Sequence, residues 1–123
     1  MLEAARDLEF DCRVLTKGPR TNAQAWKEKL DWSFANLGPL DVTITFDKGS
    51  VYGKFLYDDF PEYCYRWLAH RPRGLVIMPV ERISRQYEHE QILQWDGTNF
   101  DQVKAALVAC REREPHEPMV IPR

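Results

Sequence analysis

The chain is 123 residues long, 44% hydrophobic and 29% charged, with 17 basic and 19 acidic residues giving a formal net charge of -2. That length suits one ordinary core, and the composition is that of a folded globular chain rather than a disordered one. The near-neutral balance offers no electrostatic footprint for nucleic acid or an anionic membrane, and no apolar run approaches the roughly 20 residues of a helical membrane span.

The N-terminal stretch MLEAARDLEF has no basic region followed by an apolar one. The expectation is therefore a single domain over 1–123 in the cytoplasm. Cys12, Cys64 and Cys110 are odd in number, widely spaced and without a C-x-x-C pattern. They read as buried thiols in a reducing compartment rather than as a disulfide framework or zinc knuckle.

Taken in chain order, residues 1–9 read as one or two helical turns with Leu2, Ala5 and Leu8 on one side. FDCRVLT, 10–16, reads as a strand that stops at the breakers Lys17, Gly18 and Pro19. Thr21 with Gln24 has the capping-box spacing, and Ala23, Trp26, Leu30, Phe34 and Leu37 recur at helical intervals until Gly38 and Pro39. DVTITFD, 41–47, is a second strand, KGS a turn, and VYGKFLYDD, 51–59, a third strand that ends on two adjacent aspartates.

Pro61 suits the first turn of a helix, and PEYCYRWLAH places Tyr63, Cys64, Trp67 and Leu68 on one face. RGLVIMPV, 73–80, is a nearly continuous apolar run, which predicts a strand buried on both faces. The polar segment 81–91 reads as irregular, ILQW, 92–95, as a short strand and DGT as a turn. NFDQVKAALVAC follows as a helix with Phe100, Val103, Leu107 and Cys110 inward, and the tail 112–123, with three prolines, reads as loose.

This alternation predicts an α/β fold: a three-layer, Rossmann-like, mainly parallel sheet with helices on both faces. In such sheets chemistry gathers at the carboxyl ends of the strands. Three polar stretches stand at such ends: Thr16, Lys17 and Gly18; Asp47, Lys48 and Gly49; and Asp58 with Asp59. A hydroxyl and loop amides can hydrogen-bond a phosphoryl oxygen, a lysine can neutralise its charge, and two carboxylates suit Mg²⁺, a hard ion that retains several waters.

The order VLT (14–16), DKG (47–49) and FLYDD (55–59) resembles the second, third and fourth motifs of the haloacid dehalogenase superfamily of phosphohydrolases. LTKGPRTNAQAWKEKLDW, DKGSVYG, WLAHRPRGLVIMP and WDGTNFDQV are similar to its branch related to the 5'(3')-deoxyribonucleotidases, over about residues 8–110. The resemblance implies that Thr16, with Lys17 and Gly18, contacts the phosphoryl group. It implies that Lys48 orients phosphate and nucleophile, and that Asp58 and Asp59 serve Mg²⁺. Lys54 departs from the pattern, since relatives often carry an acid there.

Members of that family begin with a strand ending in D-x-D, which supplies the nucleophile and the general acid and base. These 123 residues contain no D-x-D, so the expected core lacks its usual first, central strand, which in the family lies between the strands equivalent to 10–16 and 51–58. Glu9 and Asp11 have the spacing but precede a strand, Asp47 shares its turn with Lys48, and DGT at 96–98 has Gln94 where the nucleophile would be. Three readings follow: a phosphatase homologue inactive alone; a fragment or subunit of an active Mg²⁺-dependent nucleotide hydrolase; or a protein-interaction module on the same scaffold.

The acidic pair also has a purely structural reading. Asp59, Pro61 and Glu62 fit the N-cap, first-turn and capping-box positions of the following helix. His70, His89 and His116 have no metal-ligand spacing. Arg71 and Arg73, beside a strand start, read as surface charges. The tryptophans read as packing residues.

Overall fold

Breakers and caps in the chain decide where its elements start and stop. A computed structural model describes residues 1–123 as an α/β protein with parallel strands in two sheets, one of two strands and one of three. The chain divides into two compact units, Met1–Lys48 and Gly49–Arg123. No helix is long and apolar enough to cross a membrane.

The first unit opens with α1 (Leu2–Asp7), which ends where Glu9 takes a left-handed backbone, φ 64°. Strand β1 (Val14–Lys17) pairs in parallel with β2 (Val42–Thr45), Val14 opposite Val42 and Thr16 opposite Ile44. β1 is shorter than the expected 10–16, because the ladder opens only where the Val14 N–H reaches the Asp41 carbonyl.

Between the two strands runs α2 (Ala23–Leu37). Its N-cap is Asn22, not Thr21: the Asn22 Oδ1 accepts the Ala25 N–H at 3.2 Å. Asparagine is the stronger cap of the two, so it takes the position. Gly38, at φ 77°, ends the helix as the sequence indicates.

The predicted apolar stripe of α2 is only partly covered. Ser33 is its one buried residue, while Ala23 and Phe34 are exposed and Trp26, Leu30 and Leu37 are half-buried. Two strands about 4.8 Å apart make a platform too narrow for a stripe that wide.

The second unit holds β3 (Phe55–Tyr57), β4 (Leu75–Pro79) and β5 (Ile92–Trp95), all parallel and ordered β3-β4-β5. Leu75, Val76, Ile77 and Met78 are fully buried, as a central parallel strand requires. Helix α3 (Pro61–His70) packs Cys64, Trp67 and Leu68 toward β4. Helix α4 (Phe100–Glu112) covers β4 and β5 with Val103, Ala106, Leu107 and Cys110. Phe100, expected inward, is 42% exposed because it is the first residue of its helix and Ala106 fills the inward face instead.

Two glutamines staple the connections. The Gln91 side-chain Nε2 donates to the carbonyls of Pro72 at 2.5 Å and Gly74 at 2.9 Å, with a longer contact of 3.3 Å to that of Arg71. Gln94, buried in β5, donates from Nε2 to the Ser84 carbonyl and accepts the Ser84 N–H on Oε1, at 2.6 and 2.7 Å. This holds the segment 81–91, whose one regular piece is a 3₁₀ turn, Arg85–Tyr87.

Past Glu112 the tail has no regular element, yet Met119 and Ile121 are buried and Arg123 donates to the Ile92 carbonyl at 3.1 Å. Apolar side chains anchor it where three prolines forbid helix or ladder.

The Trp67 indole donates to the Val51 carbonyl at 3.0 Å and fills the space that a side chain at Gly74 would need. A Cβ there would stand 2.5 Å from Trp67 Cζ3. Gly74→Ala should lower stability by about 1–3 kcal/mol, the usual cost of overpacking, read as a lower urea midpoint at unchanged slope. In native-state hydrogen exchange, the amides of β4 and β5 should be the slowest and those of β1 and β2 clearly faster, since only the former lie within a closed apolar core. Equal protection of both sheets would contradict that difference.

Candidate functional site at the strand ends

Parallel strands all present their carboxyl ends on one edge, and the polar stretches of interest lie there in each unit. In the first unit Thr16 is the third residue of β1, Lys17 the last, and Gly18 follows. The Thr16 Oγ1 accepts a hydrogen bond from Lys29 Nζ at 3.3 Å. Lys29 is a residue that sequence reasoning missed. A signal was present: with Trp26 and Ser33 it lies on the α2 face that meets β1 and β2.

Gly18 has a different task from the expected loop amide. Its N–H donates to the Thr45 carbonyl at 3.0 Å, continuing the ladder, and the Trp26 ring occupies the place where a side chain would be. Lys17 is exposed. After β2, the Thr45 Oγ1 accepts the Asp47 N–H at 3.1 Å and donates to the Asp47 carbonyl at 3.3 Å. That clasp sets the turn on which Lys48 begins the 3₁₀ segment Lys48–Ser50.

In the second unit Asp58 and Asp59 follow β3 directly. Asp58 is 8% exposed, and its N–H donates to the Ile77 carbonyl at 3.3 Å, one residue beyond the strand. Its Oδ1 accepts the Phe60 N–H at 3.0 Å, an Asx turn that leads the chain into α3. Its carbonyl accepts the Cys64 thiol at 3.4 Å.

The expected cap by Asp59 is not formed. Pro61 takes the first helical position, which makes Phe60 the N-cap, without a side-chain bond. Asp59 is thereby one residue too early to reach the helix amides, and it lies exposed. Tyr57 records its presence: burial pushes the phenol's pKa up, and the Asp59 carboxylate adds to the rise.

Two neighbouring carboxylates are the kind of donor that Mg²⁺ takes. No group of three or more His, Cys, Asp or Glu residues converges as a metal cage, but Mg²⁺ commonly takes one or two carboxylates and completes its shell with water and phosphate oxygens. Asp58 is oriented by its turn, and Asp59, the next residue, is exposed. A bound Mg²⁺ would supply charge neutralisation at phosphoryl oxygens. Thr16, Lys17, Gly18 and Lys48 belong to the first unit, and Asp58 and Asp59 to the second.

One further carboxylate stands directly after a strand. Asp96 follows β5, and its Oδ1 accepts the Thr98 hydroxyl at 2.7 Å and the Thr98 N–H at 3.0 Å around Gly97, φ 90°. It closes the turn into α4. Compared with protein-family models, curated proteins and solved structures, the chain has no match.

The Thr98 hydroxyl, and then its N–H, hold the Asp96 pKa below the ordinary carboxylate value. A group with a depressed folded pKa contributes stability that is present above its unfolded value, about 3.9, and is lost as pH falls through the lower folded one. Carboxyl ¹³C titration should therefore place the Asp96 midpoint below that of a free aspartate, and Thr98→Ala should raise it. An unchanged midpoint in the variant would refute this origin of the shift.

Proposed function

We propose that this chain is a haloacid dehalogenase-type phosphohydrolase scaffold, of the kind related to the 5'(3')-deoxyribonucleotidases, that binds a phosphoryl group without turning over phosphomonoesters by itself. The observation that carries this reading is positional. Thr16 and Lys17, then Lys48, then Asp58 and Asp59 stand at or just past the carboxyl ends of β1, β2 and β3, where parallel α/β sheets carry ligand-binding groups. On this reading the core is Rossmann-like and three-layered, without the family's central first strand.

Each residue then has a role. Thr16 donates its hydroxyl to a phosphoryl oxygen, while Lys29 beside it and Lys48 balance the charge. Asp58 and Asp59 hold Mg²⁺. These 123 residues contain no D-x-D, the pair that the family uses for attack and proton transfer, and Asp96 is engaged by Thr98. The ligand is a phosphate ester, a nucleotide by resemblance. Cys12, Cys64 and Cys110 form no disulfide, which supports a cytoplasmic setting.

Calorimetry with the whole chain should detect inorganic phosphate and Mg²⁺. Lys48→Ala should weaken phosphate roughly tenfold, the scale of one charge-assisted contact. Asp58→Asn should abolish Mg²⁺ binding, and an aryl phosphate with Mg²⁺ should release no phosphate. Release that Asp58→Asn abolishes would overturn the inactive reading, and failure to bind either ion would remove the residual site.

A second reading, a protein-interaction module on the same scaffold, is favoured by one feature of α2. Trp32 and Phe34 are 59% and 53% exposed, and aromatic side chains on a surface are the groups that protein partners most often cover.

A further inference from the structure

At the start of α2, residues 19–23 line, with Trp26 and Phe46, an open cleft of about 440 Å³. That volume lies in the range of small-molecule sites, about 300–1,000 Å³. Its aromatic wall is preset. The Trp26 indole donates to the Pro19 carbonyl at 2.7 Å, and the ring lies so close to Gly18 that an added Cβ would be 2.3 Å from Cε2.

Phe46 meets Trp26 edge to face, with centroids 5.2 Å apart and planes at 78°. The Arg20 guanidinium lies 4.8 Å over the Phe46 ring. Phe46 nevertheless remains 41% exposed, and Arg20 is exposed too. The first turn of α2 has no acidic residue, so its N-terminal partial charge adds to that of Arg20.

An anchored indole, a half-exposed phenyl and a guanidinium lying over it form a surface that suits a flat π-system, electron-rich or attached to an anion. An aliphatic ligand would gain the apolar contact but not the stacking. A bare anion would use the charge and leave the rings wet.

We infer that this cleft binds a planar aromatic or heteroaromatic ring, stacked on the Arg20 guanidinium where it overlies Phe46 and bounded by Trp26. The inference rests on the phosphate reading only for what the ring carries. Thr16 and Lys17 precede the cleft by a few residues, which makes a phosphorylated ring the ligand class that uses both. Two sources share this chemistry, a nucleobase and a simple aryl group.

The test is an NMR titration of the ¹⁵N-labelled full chain, which has four tryptophan indole signals; Trp26→Phe identifies the one that matters. Adenosine, phenyl phosphate and inorganic phosphate are added separately. The Trp26 indole signal should move saturably with a ring-bearing ligand. Response to adenosine assigns a nucleobase, and response to phenyl phosphate alone assigns an aryl ester. Arg20→Ala and Phe46→Leu should each weaken binding roughly three- to tenfold, the size of one stacking or cation–π contact.

No movement with either ring, or undiminished affinity in both variants, would overturn the inference. If Phe46→Leu does not fold, Arg20→Ala decides, because its side chain lies at the surface. Phosphate that shifts the Thr16 and Lys17 amides while rings leave Trp26 unmoved would sink the cleft and leave the phosphate reading standing. Ring binding without phosphate binding would do the reverse.

Discussion

A parallel strand with water on neither face is the constraint around which the second unit is built. Leu75 to Met78 of β4 have no exposed surface, so their backbone groups need ladders on both edges and their side chains need cover on both faces. β3 and β5 supply the ladders, and α3 and α4 supply cover. In this unit that arrangement sets where Asp58 stands, directly after β3. Asp58 extends the β3–β4 ladder by one bond, which fixes its backbone and leaves the side chain to shape the turn.

The first unit obeys a weaker version of the same rule. Its sheet is a single pair of strands, and a fifteen-residue helix lies beside it with one buried residue. The apolar groups there cannot all find cover, so Trp26 and Phe46 cover one another and Arg20 settles on the open ring face. A poorly filled core and an aromatic cleft are two descriptions of one geometric fact. Such half-covered surface is where a ligand or a partner gains most from contact.

How legible this was depended on whether a signal was local or depended on distant partners. α3 runs from Pro61 to His70, the stretch that the sequence marks, because proline at its start and the apolar face act within ten residues. β4 was readable from its unbroken apolar run. The strand beginning near Val51 was not: only Phe55 to Tyr57 pair, since strand length is set by what lies alongside. The cap of α3 was misread because Asp59, Pro61 and Glu62 match a capping box by spacing, while Pro61 at the first position moves the cap to Phe60. At the candidate site, Thr16, Lys48 and the aspartates could be placed at strand ends from the sequence. Lys29 had only its place on the inner face of α2 as a signal, and the Arg20 cleft had none, because it arises from how residues 19–23 meet Trp26 and Phe46.

Gln91 carries one more consequence. Its side-chain Nε2 faces three carbonyl oxygens, so the connection between α3 and β4 depends on a nitrogen, not an oxygen, pointing inward. Deamidation would leave the shape almost untouched and set oxygen against oxygen. A slow chemical change of less than one dalton would then loosen the turn that carries Gly74 and, with it, the seat of Trp67. In this fold the molecule's age could be written at a position far in sequence from any residue proposed to meet a ligand.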